Sequence, residues 1–89
     1  MEKPMEIGSV VFSRAGRDKG IYFMVYEIVD SDFVTLVDGD VRKLNKPKKK
    51  KIKHVKNTDT VLENIAQKVK DKSTVYDAEI FSALKKFNL

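Results

Sequence analysis

Between Arg42 and Lys56 the chain carries Arg42, Lys43, Lys46, Lys48, Lys49, Lys50, Lys51, Lys53 and Lys56 with no acid among them, and His54, the sole histidine, sits in the same stretch. Ammonium groups at this density pair with the phosphates of a polyanion and release its condensed counterions. The affinity that results is salt-sensitive and reads no sequence. Formal net charge is +5, but this segment holds nine of the eighteen basic residues, so the rest of the chain is net −4. A focused basic field on a mildly acidic body attracts a polyanion, whereas a charge run that merely aids solubility is normally balanced by nearby acids. A second basic group lies upstream. Arg14, Arg17 and Lys19 surround Gly16 and Gly20, and glycines there let the backbone take positive φ and come close to a sugar-phosphate chain. Arg17 offers a planar fork and Lys19 a point charge. Asp18 between them is expected to pair within the protein, and the bland reading of this loop is an ordinary glycine turn with exposed charges. The G-x-x-x-G spacing is not a phosphate loop, because neither a Lys-Ser/Thr pair nor a helix follows.

Catalytic and metal chemistry find little to work with. There is no cysteine and only one histidine, so neither a thiolate site nor an ordinary histidine site is expected. His54 is expected on a strand edge, touching phosphate. Asp30, Asp32, Asp38 and Asp40 stand where turns want aspartate, and their spacing is not that of a calcium loop. No acid, base and nucleophile converge, so the chain is expected to be no enzyme and to need no cofactor. Tyr22, Phe23, Tyr26 and Phe33 are expected mostly in the core; Tyr22 and Tyr26 share a strand face, and facing outward to stack on unpaired bases is the lesser reading for them. Phe81 falls off the main apolar face of the last helix and is expected to pack on the sheet.

The elements that must position these groups follow from periodicity. Eighty-nine residues, 42% apolar, make one domain with one small core. Segments 7–14, 21–29, 33–37 and 41–44 read as strands, separated by the 15–20 loop, Asp30-Ser31-Asp32 and the Asp38-Gly39 hairpin signal. Asn45-Lys46-Pro47 and the lysine run read as a break, and 52–55 as a fifth, edge strand. From Asn57 the period turns helical: Val61, Leu62, Ile65, Ala66 and Val69 share a face, with Asn57, Thr58 or Asp59 as the cap. A second helix, from a Thr74–Asp77 cap signature, carries Tyr76, Ile80, Ala83, Leu84 and Phe87. Five short strands suit a small closed barrel better than a sandwich. The longest apolar run, Ile21 to Val29, is interrupted by Glu27, and the first four residues lack a signal's apolar core. With no cysteine, these features lead to the expectation of a cytoplasmic protein.

The stretch from Gly8 to Gly20, with Gly16 between Val10-Val11-Phe12 and Phe23-Met24-Val25, resembles the KOW motif of ribosomal proteins and transcription elongation factors. The continuation Val37-Asp38-Gly39-Asp40-Val41-Arg42-Lys43-Leu44, then Lys46-Pro47-Lys48 through Lys53-His54, is similar to small bacterial KOW-domain proteins related to the fourteen-e type of large-subunit ribosomal protein. The resemblance covers about Ile7 to Val55 and implies an SH3-like five-stranded barrel that binds RNA.

The expectation is therefore a mainly β protein: residues 1–6 flexible, 7–56 the barrel, and 57–89 a helical extension packed on it. Its RNA-binding residues are Arg14, Gly16, Arg17, Lys19, Gly20, Arg42, Lys43, Lys46, Lys48, Lys49, Lys50, Lys51, Lys53, His54 and Lys56. The partner is RNA, ribosomal RNA first, with ribosomal proteins beside it; no membrane is involved, and the free chain is a monomer. The alternative is a protein-interaction KOW module of a transcription or translation complex, with the acidic body and helices as its working surface.

Overall fold

Successive side chains of a strand leave opposite faces of a sheet, and in this protein both faces are covered. The structure, a computed structural model, describes residues 4–88. It has five strands, β1 (Ser9–Ser13), β2 (Tyr22–Ile28), β3 (Phe33–Val37), β4 (Lys48–Lys51) and β5 (Val55–Val61), then two helices, α1 (Glu63–Lys70) and α2 (Asp77–Leu84). Val10, Met24 and Val37 stand opposite one another across three strands and join Ile65, Ile80 and Leu84 of the helices in one buried cluster. Their neighbours Val11, Phe23, Val25, Val34 and Leu36 point the other way and pack with Val55. Burial on both faces explains why β2 begins as an unbroken apolar run rather than an alternating one.

All pairings are antiparallel, in the order β4-β3-β2-β1-β5. In a flat sheet the outer strands would lie about 19 Å apart, four inter-strand spacings. Here a single 3-10 turn, Ile52–His54, links β4 directly to β5. The turn is fastened at both ends: the Ile52 amide donates to the Asp32 carbonyl (2.8 Å) and the Arg14 amide to the His54 carbonyl (2.9 Å). The sheet is therefore strongly curled, though β4 and β5 do not pair to close it.

The mainly β expectation holds, and several boundaries move. Residues 41–44 are not a strand. The Asp38 carboxylate accepts the amides of Asp40 (3.0 Å) and Arg42 (2.8 Å), curling the segment by local side-chain bonds that compete with a ladder. The fourth strand is instead the lysine run, paired to β3 from Phe33↔Lys51 to Leu36↔Lys48, and Pro47 stands just before it, where a missing N–H costs nothing. Ile52–His54, expected as the start of an edge strand, form the 3-10 turn. Asn57, Thr58 and Asp59 do not cap a helix but lie within β5, so the strand portion runs past the boundary expected at 56. Tyr76, counted in the helical repeat, is 67% exposed, and Phe81, expected to pack on the sheet, is 45% exposed. Of the leading segment, residues 1–3 lie outside the described residues; Met5 packs on the inner cluster, and the Glu6 amide donates to Ser9 Oγ (2.8 Å). Among the described residues no helix is long and apolar enough to cross a membrane.

Candidate nucleic-acid interface

The 15–20 loop joins β1 to β2 through consecutive tight turns. The Gly20 amide returns to the Ser13 carbonyl (2.9 Å) and the Lys19 amide to that of Gly16 (3.2 Å). Gly16 and Gly20 hold φ of 80° and 90°, as their spacing predicts, a conformation that costs other residues about 1–2 kcal/mol. Asp18, at the centre, is 5% exposed. Its carboxylate accepts from the Arg42 guanidinium, 3.0 Å at the shortest, with a second guanidinium nitrogen at 3.3 Å. This ties the loop to the 38–46 segment.

A second tie comes from β4. Lys50 is 9% exposed; its partner across the ladder is Val34, so its stem enters the core face. Its Nζ reaches the Ala15 carbonyl (2.7 Å). A Cβ on Gly16 would stand 3.3 Å from that Nζ, so the glycine also permits the close approach. Long apolar stems ending in a satisfied charge are how lysines occupy such positions. Lys48, Lys49 and Lys51 remain exposed. Lys49 and Lys51 share the outer face with Thr35 and Phe33, and Lys49 Nζ lies 4.7 Å from the Phe33 ring centre.

The expected residues thus divide. The two ties set the 15–20 loop, with Gly16, Arg17, Lys19 and Gly20, and Arg42 beside β4, whose Lys48 and Lys50 leave one face and Lys49 and Lys51 the other. Within that group Arg42 is paired with Asp18 and Lys50 turns its ammonium to the Ala15 carbonyl, while Arg17, Lys19, Lys48, Lys49 and Lys51 stay open to solvent. Lys43 and Lys46 are exposed on the loop before β4. Arg14, His54 and Lys56 meet elsewhere, beside the β1–β5 pair, where Arg14 bonds the His54 carbonyl and Lys56 stands opposite Phe12. Lys53 is exposed on the 3-10 turn between the groups and lines a hollow with Phe33 and Lys51. The sequence groups Phe33 with the core aromatics; its place beside Lys49 and Lys51 is visible only once the lysine run is known to be a strand. Among the described residues no group of three or more His, Asp or Glu comes close enough to hold a metal ion. No protein-family model matches the chain, and no curated protein does.

Proposed function

We propose that this chain is a KOW-type RNA-binding protein, not an enzyme, working on or near the ribosome in the cytoplasm. The observation that carries the reading is the double fastening of the 15–20 loop, by Arg42 to Asp18 and by Lys50 to Ala15. It sets two basic segments distant in sequence side by side. Beside that junction Lys49 and Lys51, on the outer face of β4, and Lys48 at its start capture phosphate by charge, while Arg17 and Lys19, on the fastened loop, orient the backbone. Lysine demands little direction, so selectivity comes from RNA shape. We take the curled sheet as an SH3-like barrel; the meander of β1 to β4 and the return of β5 to β1 through a short 3-10 turn support that. Large-subunit ribosomal RNA is the favoured partner, bound by a monomer.

Sedimentation with ribosomal particles across a salt series tests the reading. Co-migration with the large subunit should weaken as salt rises and be lost when Lys48, Lys49 and Lys51 become glutamine, Lys50 being left in place. A protein that stays at the top of the gradient at low salt sinks the ribosomal assignment. The second reading, a protein-interaction module, is supported by Val41 and Phe81, 61% and 45% exposed and lining one hollow. It predicts a partner retained at high salt and indifferent to the lysine substitutions.

A further inference from the structure

Phe12 stands directly opposite two residues at once, Tyr22 on β2 and Lys56 on β5. Cross-strand partners share a face, so these three side chains form a row on the face that α1 and α2 cover elsewhere. The cover ends at Phe87, whose ring lies 5.5 Å from Tyr22. Past it is a hollow of about 740 Å³ lined by Phe12, Arg14, Tyr22, Lys56 and the 57–59 segment.

The floor of this hollow is held in place. Phe12 and Tyr22 meet at 4.9 Å with a 60° tilt, an arrangement that leaves the Phe12 face without a parallel ring against it. The Asn88 side chain grips the Tyr22 backbone from both sides, accepting from its amide (2.9 Å) and donating to its carbonyl (3.2 Å). The wall is a bulge in the β1–β5 ladder, where Asp59 holds φ at 66° and Thr58 Oγ1 donates to the Val10 carbonyl (2.7 Å). Arg14 and Lys56, both exposed, stand at the rim. An aromatic face flanked by two cations fits a base and its phosphate. A base-paired strand cannot offer its base face to such a floor, whereas an unpaired one can.

We propose that this corner seats one unpaired nucleotide of the bound RNA, its base stacked on Phe12 beside Tyr22 and its phosphate between Arg14 and Lys56. The inference rests on the RNA-binding reading and adds to it. The lysine face holds the backbone of any RNA, and the corner makes the protein prefer RNA with an unpaired base.

The test compares a fully paired RNA duplex with the same duplex carrying one bulged nucleotide, at one salt concentration, with resonances of Phe12 and Tyr22 followed by NMR. The bulged RNA should bind about tenfold tighter, the order of one base–aromatic stack, and should alone move those resonances. Phe12→Leu, which keeps apolar volume but removes the stacking face, should abolish the preference and leave duplex affinity intact. Should that variant fold poorly, Phe12→Met, a flexible apolar side chain without a ring, gives the same reading. Equal affinity of the native chain for both RNAs with unmoved resonances overturns the corner and leaves the RNA reading standing. If neither RNA binds at low salt, both fall.

Discussion

Two glycines with similar backbone angles carry different weights. Gly20 has φ of 90° with nothing within 4 Å of where a Cβ would sit, while Gly39, at 79°, would drive a Cβ into the Asp77 carbonyl and to 2.8 Å from the Phe81 nitrogen. Both of those obstacles belong to the backbone of α2 and cannot swing aside. Gly20→Ala should cost only the left-handed penalty, about 1 kcal/mol. Gly39→Ala adds overpacking and should cost about 3 kcal/mol or more, read as the shift in urea midpoint at unchanged slope. Equal costs would mean that α2 does not press on the turn. The positive φ at Gly16 and Gly20 is legible in the sequence, because the loop they bracket is local. The pressure on Gly39 is not, because it comes from a helix far along the chain.

The lysine run shows why element boundaries are harder to read than element types. Four lysines have poor strand propensity, yet β4 needs only one partner, and the β3 edge supplies it through the ladder from Phe33 to Leu36. Charged side chains at a sheet's edge also discourage pairing with other molecules. Val41–Leu44, with the better strand composition, is held off the ladder by Asp38, and the Leu44 amide is taken by the Asp77 carboxylate (2.8 Å). Asn57-Thr58-Asp59 has a cap's composition, but its side chains serve a bulge: Asn57 accepts the Asp59 amide (3.0 Å) and Thr58 binds Val10. The helices themselves are legible from Ile65, Ala66, Ile80 and Leu84, whose spacing sets the buried face. Between the helices, Lys68 Nζ lies 2.9 Å from Glu79, which also accepts the Tyr76 amide (3.2 Å). The Lys68 bond first, then that amide, hold the Glu79 carboxyl below its ordinary range. A carboxylate lowered on folding stabilises fully above its unfolded pKa, and the gain disappears as pH falls through the folded value. The melting-temperature difference between native chain and Glu79→Gln should therefore be steady near neutrality and shrink in acid across that window. A difference that persists unchanged well below it would show that the pair does not link the helices.

Across the molecule, charge and stability are assigned to different lysines of one strand. The body is mildly acidic and the segment from Arg42 to Lys56 carries nine basic residues and no acid, so neutralising any lysine there lowers the field around it. Only Lys50 is also buried against the protein, at 9% exposure and 2.7 Å from the Ala15 carbonyl. Lys50→Met removes a charged donor from a half-buried carbonyl and frees the 15–20 loop, and should destabilise the fold by about 1–2 kcal/mol. Lys48, Lys49 and Lys51 are exposed, so their change to glutamine should each stay within about 0.5 kcal/mol. For RNA affinity the order reverses. Each phosphate that a variant leaves unneutralised should lower the slope of log K against log salt by about 0.7 on a single strand or 0.9 on a duplex. The three exposed lysines together should then remove about two to three from that slope, and Lys50→Met, once corrected for the folded fraction, should remove less than one. Binding isotherms over a salt series, paired with urea denaturation of each variant, give both numbers. A triple variant with an unchanged slope would mean that β4 is a solvated edge and that phosphate is held elsewhere.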